Sequence, residues 1–368
     1  MRFHILGLPH TVSNKDYVAC AYTQKVIKFG KMMKEYGHTI IHYGHEESDL
    51  VCDEHVTVTT NKDLKKAYGS YDWRKGFFRF DTEDHAYKTF YKNAINAIEA
   101  RKQDGDFILP FWGLGVKPVC DAHSDLIVVE PGIGYAFGHW ADYKVFESYA
   151  IYHAYYGIDS CGTCRQDWRD TVIPNYFDLD EFEYSEEKED YFLYLGRVFE
   201  GKGVDIAIQA CAAAGVKLVI AGQKGEDFEL PDCVEYVGYA GVEERKKLMS
   251  KAKASFLPSK YLEPFGGVQV ENLLCGTPTI TSDWGAFTEN NLHGVTGYRC
   301  KTLGDYVNAI ELIDEIEPAK CREWGNRFSL NRIGAMYDIY FKDVYNDFTE
   351  GKGWEMKSDS KLLPIKLL

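Results

Sequence analysis

Short apolar runs of strand length alternate with segments of helical period along nearly the whole chain, a pattern that predicts α/β architecture with parallel sheets. In the first half the expected strands are residues 2–7, 39–43, 107–110 and 125–130. Helical segments are expected at 17–36, 85–101 and 143–155. Pro174-Asn175 and the acid-rich stretch 178–189 then read as a linker. A second series follows, with strands at 191–196, 216–221, 234–237, 254–258 and 277–281 and helices at 203–214, 243–253, 268–275 and 303–316. Two such series predict two doubly wound, Rossmann-like domains facing a cleft. The loops after the strands should line that cleft, because ligands of these sheets bind beyond the strand carboxyl ends.

The bulk numbers fit that picture. A chain of 368 residues suits two domains, and 45% hydrophobic with 27% charged residues is globular in character. No apolar run reaches membrane-spanning length, and residues 1–8 read as a first strand instead of a signal peptide. The ten cysteines are scattered, several in apolar runs, which suits buried thiols in a reducing, cytoplasmic compartment. Cys161 and Cys164 form the one close pair, and no second pair at zinc spacing completes a ligand set. A net charge of −14 argues against a nucleic-acid partner. One basic element stands out: Lys25, Lys28, Lys31 and Lys34 recur every third residue among Val26, Ile27, Phe29 and Met32. Its plain reading is a solvated face. Its sharper reading is contact with an anionic acceptor or with the periphery of a membrane.

The densest chemistry lies in the second series. Glu263-Pro264-Phe265-Gly266-Gly267-Val268-Gln269-Val270-Glu271 places two carboxylates on either side of a Gly-Gly step that opens a helix. Pro264, Gly266 and Gly267 permit a tight turn and a close backbone approach, and first-turn amides with the helix dipole suit a phosphate. At about 1.5 Å rise per residue, Glu263 and Glu271 could reach opposite ends of a sugar diphosphate. Carboxylates accept from vicinal hydroxyls, so one suits a hexose and the other a ribose. Arg197, after the strand 191–196, and Lys202, in Glu200-Gly201-Lys202-Gly203, offer a guanidinium fork and an ammonium for a diphosphate. Gly238, in Tyr236-Val237-Gly238-Tyr239, sits where a nucleobase could pair with backbone groups.

In order and spacing, Val172-Ile173-Pro174-Asn175, Gly196-Arg197, Lys202-Gly203, Ala221-Gly222, Glu263 through Glu271, Gly276-Thr277-Pro278, Ser282-Asp283 and Gly294-Val295-Thr296-Gly297 resemble the large family of retaining nucleotide-sugar glycosyltransferases, family 4 (glycosyl transferases group 1). The resemblance covers about residues 170–345. It implies a GT-B fold and a metal-independent, cofactor-free hexosyl transfer with retention. Arg197 and Lys202 would bind the diphosphate of a donor such as a UDP- or GDP-sugar. Glu263 would take sugar hydroxyls and Glu271 the ribose. Phe265, Gly266, Gly267 and Val268 would border the donor. It also implies domains at 1–175 and 176–345; the stretch from Phe328-Ser329 to Tyr340 and Phe348 resembles the family's C-terminal helices that cross back, and about 346–368 is assigned to the first domain. Where the family commonly writes Gly-Gly before Pro-Glu, this chain has Trp284-Gly285-Ala286-Phe287-Thr288-Glu289.

The first half says less. His10 is a candidate cleft residue, with a solvated or structural histidine as the alternative. Where relatives often carry a histidine this chain has Glu130, and the nearest histidine is His139; both are candidates to bind a donor hydroxyl or orient the acceptor. The aromatic stretch 135–156 reads as a buried helix face, with Tyr135 and Trp140 as candidate sugar platforms. The acceptor could be a glycan, a lipid carrier or a small molecule. The rivals are a GT-B epimerase or phosphorylase, and a nucleotide-sugar-binding module without catalysis.

Overall fold

The computed structural model describes residues 1–135, 138–159 and 169–350. The first sheet contains β1 (Arg2–Leu6), β2 (Thr39–His45), β3 (Glu54–Thr59), β4 (Phe107–Pro110), β5 (Ile127–Ile133), β6 (Tyr143–Phe146) and β7 (Thr171–Val172). Its strands are parallel in the order β3-β2-β1-β4-β5-β6-β7. Around it lie α1 (Ala21–Glu35), α2 (Asn61–Tyr68), α3 (His85–Glu99), α4 (Lys117–Asp121) and α5 (Tyr149–Asp159). The second sheet contains β8 (Phe192–Leu195), β9 (Leu218–Ala221), β10 (Val234–Gly238), β11 (Ala254–Leu257), β12 (Thr279–Ser282) and β13 (Gly297–Cys300), parallel in the order β10-β9-β8-β11-β12-β13. Its helices are α6 (Val204–Ala214), α7 (Val242–Lys251), α8 (Gly267–Leu274), α9 (Phe287–Asn290), α10 (Leu303–Leu312) and α11 (Pro318–Gly325), and α12 (Leu330–Glu350) ends the described chain. The strand order reverses between β1 and β4 and between β8 and β11, the switch points where such sheets open a crevice.

Helical spacing explains the first core. Val26, Phe29, Met32 and Met33 of α1 are fully buried against Phe3 and Phe107 of the sheet. Ile333, Met336, Tyr337, Phe341 and Val344 of α12 join the same cluster, with the Phe341 ring 4.6 Å from Phe3 and 5.3 Å from Phe107. The stretch from 328 thus crosses back as expected, but the domain boundary falls at Leu330 and not near 346, and residues 351–368 lie outside the described residues. The two crossings touch. Phe177 N–H donates to Phe328 O at 2.8 Å, and Leu330 N–H donates to Phe177 O at 3.0 Å.

The expected helix at 143–155 is a correction of another kind. Tyr143, Lys144, Val145 and Phe146 form β6, paired with β5, because Tyr143 and Val145 alternate into the core. Ser148 then starts α5, its Oγ accepting from Ile151 N–H at 3.2 Å. Tyr152 and Tyr155 are buried, whereas Tyr149 is half exposed.

His10 does not face the cleft. Its ring is buried, with Nδ1 2.9 Å from the Tyr87 hydroxyl and the ring 5.1 Å from Phe80. Burial holds His10 and His42 down to about 3, so both stay neutral in the fold. The unfolded chain binds protons at these sites below about pH 6.5, so stability falls as pH drops from there toward 3. Each histidine is expected to remove about 2 kcal/mol between neutral pH and pH 5. Denaturant midpoints across that range check this, and His10→Gln should flatten one share of the slope.

Candidate active site

A cavity of about 550 Å³ opens between the carboxyl ends of the two sheets. On the second domain it is bordered by the segments that leave β8 and β11, on either side of the switch point. Lys202 lies in a 3-10 turn after β8, and its Nζ donates to Glu263 Oε2 at 2.8 Å. Ser259 Oγ donates to the same oxygen at 2.9 Å. Glu263 is 8% exposed. Burial alone would raise its carboxyl, but the Lys202 ammonium and the hydrogen bonds from Lys202, Ser259 and Tyr261 hold it below the usual glutamate range. Lys202 Nζ also sits 4.9 Å from the centre of the Tyr261 ring. Arg197 is exposed on the cavity edge, its guanidinium 5.3 Å from the Phe77 ring and 5.5 Å from Phe199, with no carboxylate paired to it among the described residues.

The glycine step is built as its composition requires. Gly266 has φ +82 and ψ 53, the left-handed region, and Gly267 begins α8. A Cβ on Gly266 would lie 2.5 Å from the Phe287 ring. The Phe265 side chain is buried, 6.2 Å from Phe177 ring to ring, so only the backbone of this residue serves the cavity. Val268 and Glu271 line the wall, and Glu271 accepts from Arg245 Nη2 at 2.5 Å. Gly238 is not a lining residue. Its carbonyl accepts from Gly222 N–H at 2.7 Å within the sheet, and Tyr239 and Ala240 border the cavity in its place.

The first-domain wall differs from expectation. Glu130 is fully buried behind the cavity, where it accepts from Trp140 N–H at 2.9 Å, Ala141 N–H at 3.0 Å and Tyr135 Oη at 3.1 Å. It anchors its own loop and does not line the cavity. His139 is also away from the wall, stacked 5.0 Å from Tyr135 and edge-on to Tyr155 at 4.1 Å. The residues that do line it include Tyr22, Lys25, Lys28, Gly134 and Glu147. Lys25 and Glu147 form a buried ion pair, and Lys25 Nζ also donates to Gly132 O at 2.9 Å. Burial lowers the Lys25 ammonium, and the adjacent carboxylate favours its charged form. Gly134 leaves room for that carboxylate, since a Cβ there would stand 2.8 Å from Glu147 Oε2.

The sequence reading missed the Lys25–Glu147 pair, Arg245, Ser259 and Tyr261. Lys25 carried a signal: it lies three residues after Tyr22 and four before Phe29, on the apolar stripe of α1. The lysine series is not a free basic face. Lys28 pairs with Glu181 at 2.9 Å, Lys31 with Asp178, and Lys34 with Asp53 at 2.6 Å. With Lys25 and Lys28 buried and all four lysines paired, membrane contact through this helix loses its basis. No described helix is long and apolar enough to cross a membrane, and among the described residues no group of three or more His, Cys, Asp or Glu could hold a metal ion. Cys161 and Cys164 lie outside the described residues.

Comparison with known proteins agrees with this geometry. The family model described as Glycosyl transferases group 1 matches residues 177–327. A glycogen synthase of Mycobacterium tuberculosis is 36% identical over 122 residues, 29% of this chain and 29% of that protein, so the match spans under a third of either. Among solved structures, a sucrose-phosphate synthase from Thermosynechococcus elongatus superposes with a TM-score of 0.69 at 16% identity, covering 94% of this chain and 99% of that one. Anabaena Alr3699/HepE, solved in complex with UDP and glucose, superposes with a TM-score of 0.65 at 15% identity, covering 93% and 100%. At such identities the likeness is one of fold. Residues 177–327 thus belong to the glycosyl transferases group 1 family, and the chain that carries them has the GT-B fold.

Proposed function

We propose that the protein moves a glycosyl group from a nucleoside diphosphate sugar to an acceptor hydroxyl with retention at the anomeric carbon. The observation that carries this is the convergence of Arg197, Lys202 and the first turn of α8 on one cavity wall, with Glu263 held beside Lys202. Charge develops chiefly on the departing diphosphate, and a guanidinium, an ammonium and backbone amides aimed at it lower that barrier most. These groups supply the positive charge that a metal would otherwise bring, which supports a metal-independent reaction.

The separate carboxylates support distinct roles. Glu263, with Lys202 and Ser259 on one oxygen, suits binding of donor-sugar hydroxyls instead of nucleophilic attack. Glu271, fixed by Arg245, suits the ribose. The leaving phosphate then accepts the proton of the incoming hydroxyl on the same face. On the first domain, Tyr22 and the Lys25–Glu147 pair give the cavity a polar wall without large net charge, which suits an acceptor rich in hydroxyls. The UDP bound by Alr3699/HepE favours a UDP-sugar as first donor to test.

The protein is incubated with UDP-, GDP-, ADP- and dTDP-sugars and a panel of hydroxyl acceptors. Nucleotide release is followed, and the product's anomeric configuration is read by NMR. Slow release with at least one donor and a retained configuration is expected. An inverted product removes retention. Tight nucleotide binding without any release makes the protein a binding module.

A further inference from the structure

The two domains meet at the segment that holds Glu263. Leu262, from the second domain, packs against the first-domain cluster of Ile133, Phe146, Ile151 and Tyr152. Ser148 Oγ donates to Pro264 O at 2.5 Å. Glu289 of α9 accepts from the first amides of α5, Tyr149 N–H at 3.0 Å and Ala150 N–H at 2.7 Å. From the second-domain side, Ala286 N–H donates to Glu263 O at 2.9 Å and Asn290 Nδ2 donates to Phe265 O at 2.7 Å. Glu263 is thus braced by α9 on one side and by the start of α5 on the other.

We propose that Glu289, Ser148 and Leu262 form an interdomain latch of positioning residues that fixes Glu263 for reaction only when the domains are closed. The first amides of a helix have no acceptor within it, and a carboxylate at that end also meets the positive end of the dipole. Here the acceptor of two of them belongs to the other domain, so opening the cleft leaves the Tyr149 and Ala150 amides without it, while Ser148 Oγ still caps Ile151, and withdraws Leu262 from its apolar surroundings. The same segment carries Glu147, one residue before Ser148, into the cavity wall. Closure therefore sets the Lys25–Glu147 face and the 263–267 turn together. Their registry depends in part on Ser148 and Glu289, which do not line the cavity.

This role rests on the transfer reaction proposed above, and its test has one arm that does not. Glu289→Ala, Glu289→Gln and Ser148→Ala are compared with the unchanged protein by small-angle scattering, circular dichroism, nucleoside diphosphate affinity and turnover. The unchanged protein should scatter as the closed structure does. Glu289→Ala should give a larger radius of gyration and a turnover lower by about ten- to a hundredfold. Nucleoside diphosphate affinity should stay within about twofold, because Arg197, Lys202 and α8 all belong to the second domain. Glu289→Gln should fall between the two, since one amide oxygen can still cap α5. Donor hydrolysis should rise relative to transfer as water enters. Should Glu289→Ala not fold, Ser148→Ala carries the comparison. Unchanged scattering overturns the latch, as does wider scattering with undiminished turnover. If no donor turns over even in the unchanged protein, the proposed function fails, while scattering still decides whether the latch exists.

Discussion

Lys202→Ala is expected to lower turnover by about a hundred- to a thousandfold, the usual cost of removing one charged donor from a developing oxyanion. It should also move the acid limb of the pH profile upward. In the intact site the ammonium is the largest influence holding the Glu263 carboxyl low against burial. Without it, burial prevails, and Glu263 takes a proton at higher pH than before. The stability that this carboxylate contributes when ionised is present above its unfolded-state value and is lost as pH falls through its folded value. In the variant the sign reverses: with burial prevailing, the ionised carboxylate costs stability above its folded value, and that cost is relieved as pH falls through it. Arg197→Ala should cut turnover by about as much. It should leave the pH profile and the stability unchanged, because Arg197 is exposed and has no carboxylate partner among the described residues. Turnover against pH, with denaturant midpoints for both variants, separates the two cations. Equal pH profiles for both would remove the role given to the Lys202–Glu263 pair.

Gly266→Ala is the second large effect expected, and Gly267→Ala is its control. At position 266 a Cβ meets both a left-handed backbone, with φ +82, and the Phe287 ring at 2.5 Å. Strain of this kind costs about 1–3 kcal/mol. Phe287 is fully buried and anchors α9, so relief of the clash would shift the helix that carries Glu289. Activity should fall further than stability alone explains. At position 267 a Cβ would find only Phe177 Cζ at 3.7 Å, an ordinary contact, at the first position of a helix where alanine is favourable. Chemical denaturation and donor kinetics on the pair check this. Equal stability of the two variants would show that the turn tolerates side chains equally at both sites.

The two halves of the chain differed in how much could be read beforehand. In the second half, glycines and cations follow strands at short range, so Arg197, Lys202, Glu263, Gly266, Gly267, Val268 and Glu271 could be grouped from local pattern, and the structure brings all seven to one cavity. Gly238 was misplaced because a left-handed glycine at a strand end looks the same whether its carbonyl serves a ligand or the neighbouring strand. In the first half, the wall includes Lys25, Gly134 and Glu147, positions far apart in sequence and joined only by tertiary packing. No local pattern ties them together. Glu130 attracted attention as a carboxylate at a strand end, yet three donors from its own loop consume it. The stretch 143–155 failed for a simpler reason. Tyr143 and Phe146 are three apart, as on a helix face, yet in β6 Tyr143 and Val145 share one side and Phe146 packs on the other. The residues 54–59, Glu-His-Val-Thr-Val-Thr, alternate as plainly and form β3, which the apolar-run criterion passed over.

The paired chain crossings at Phe177 and at Phe328–Leu330 constrain how the halves can move. Two separate tethers would allow twisting, sliding and splaying. Two strands bonded side by side share one pivot, so the permitted swing is close to a single rotation about that seam. Such a swing presents the same two faces at every cycle. It also means that cutting the polypeptide after the first crossing would strip the first half of α12, leaving Phe3, Phe29 and Phe107 bare. An isolated first half should therefore clump instead of folding.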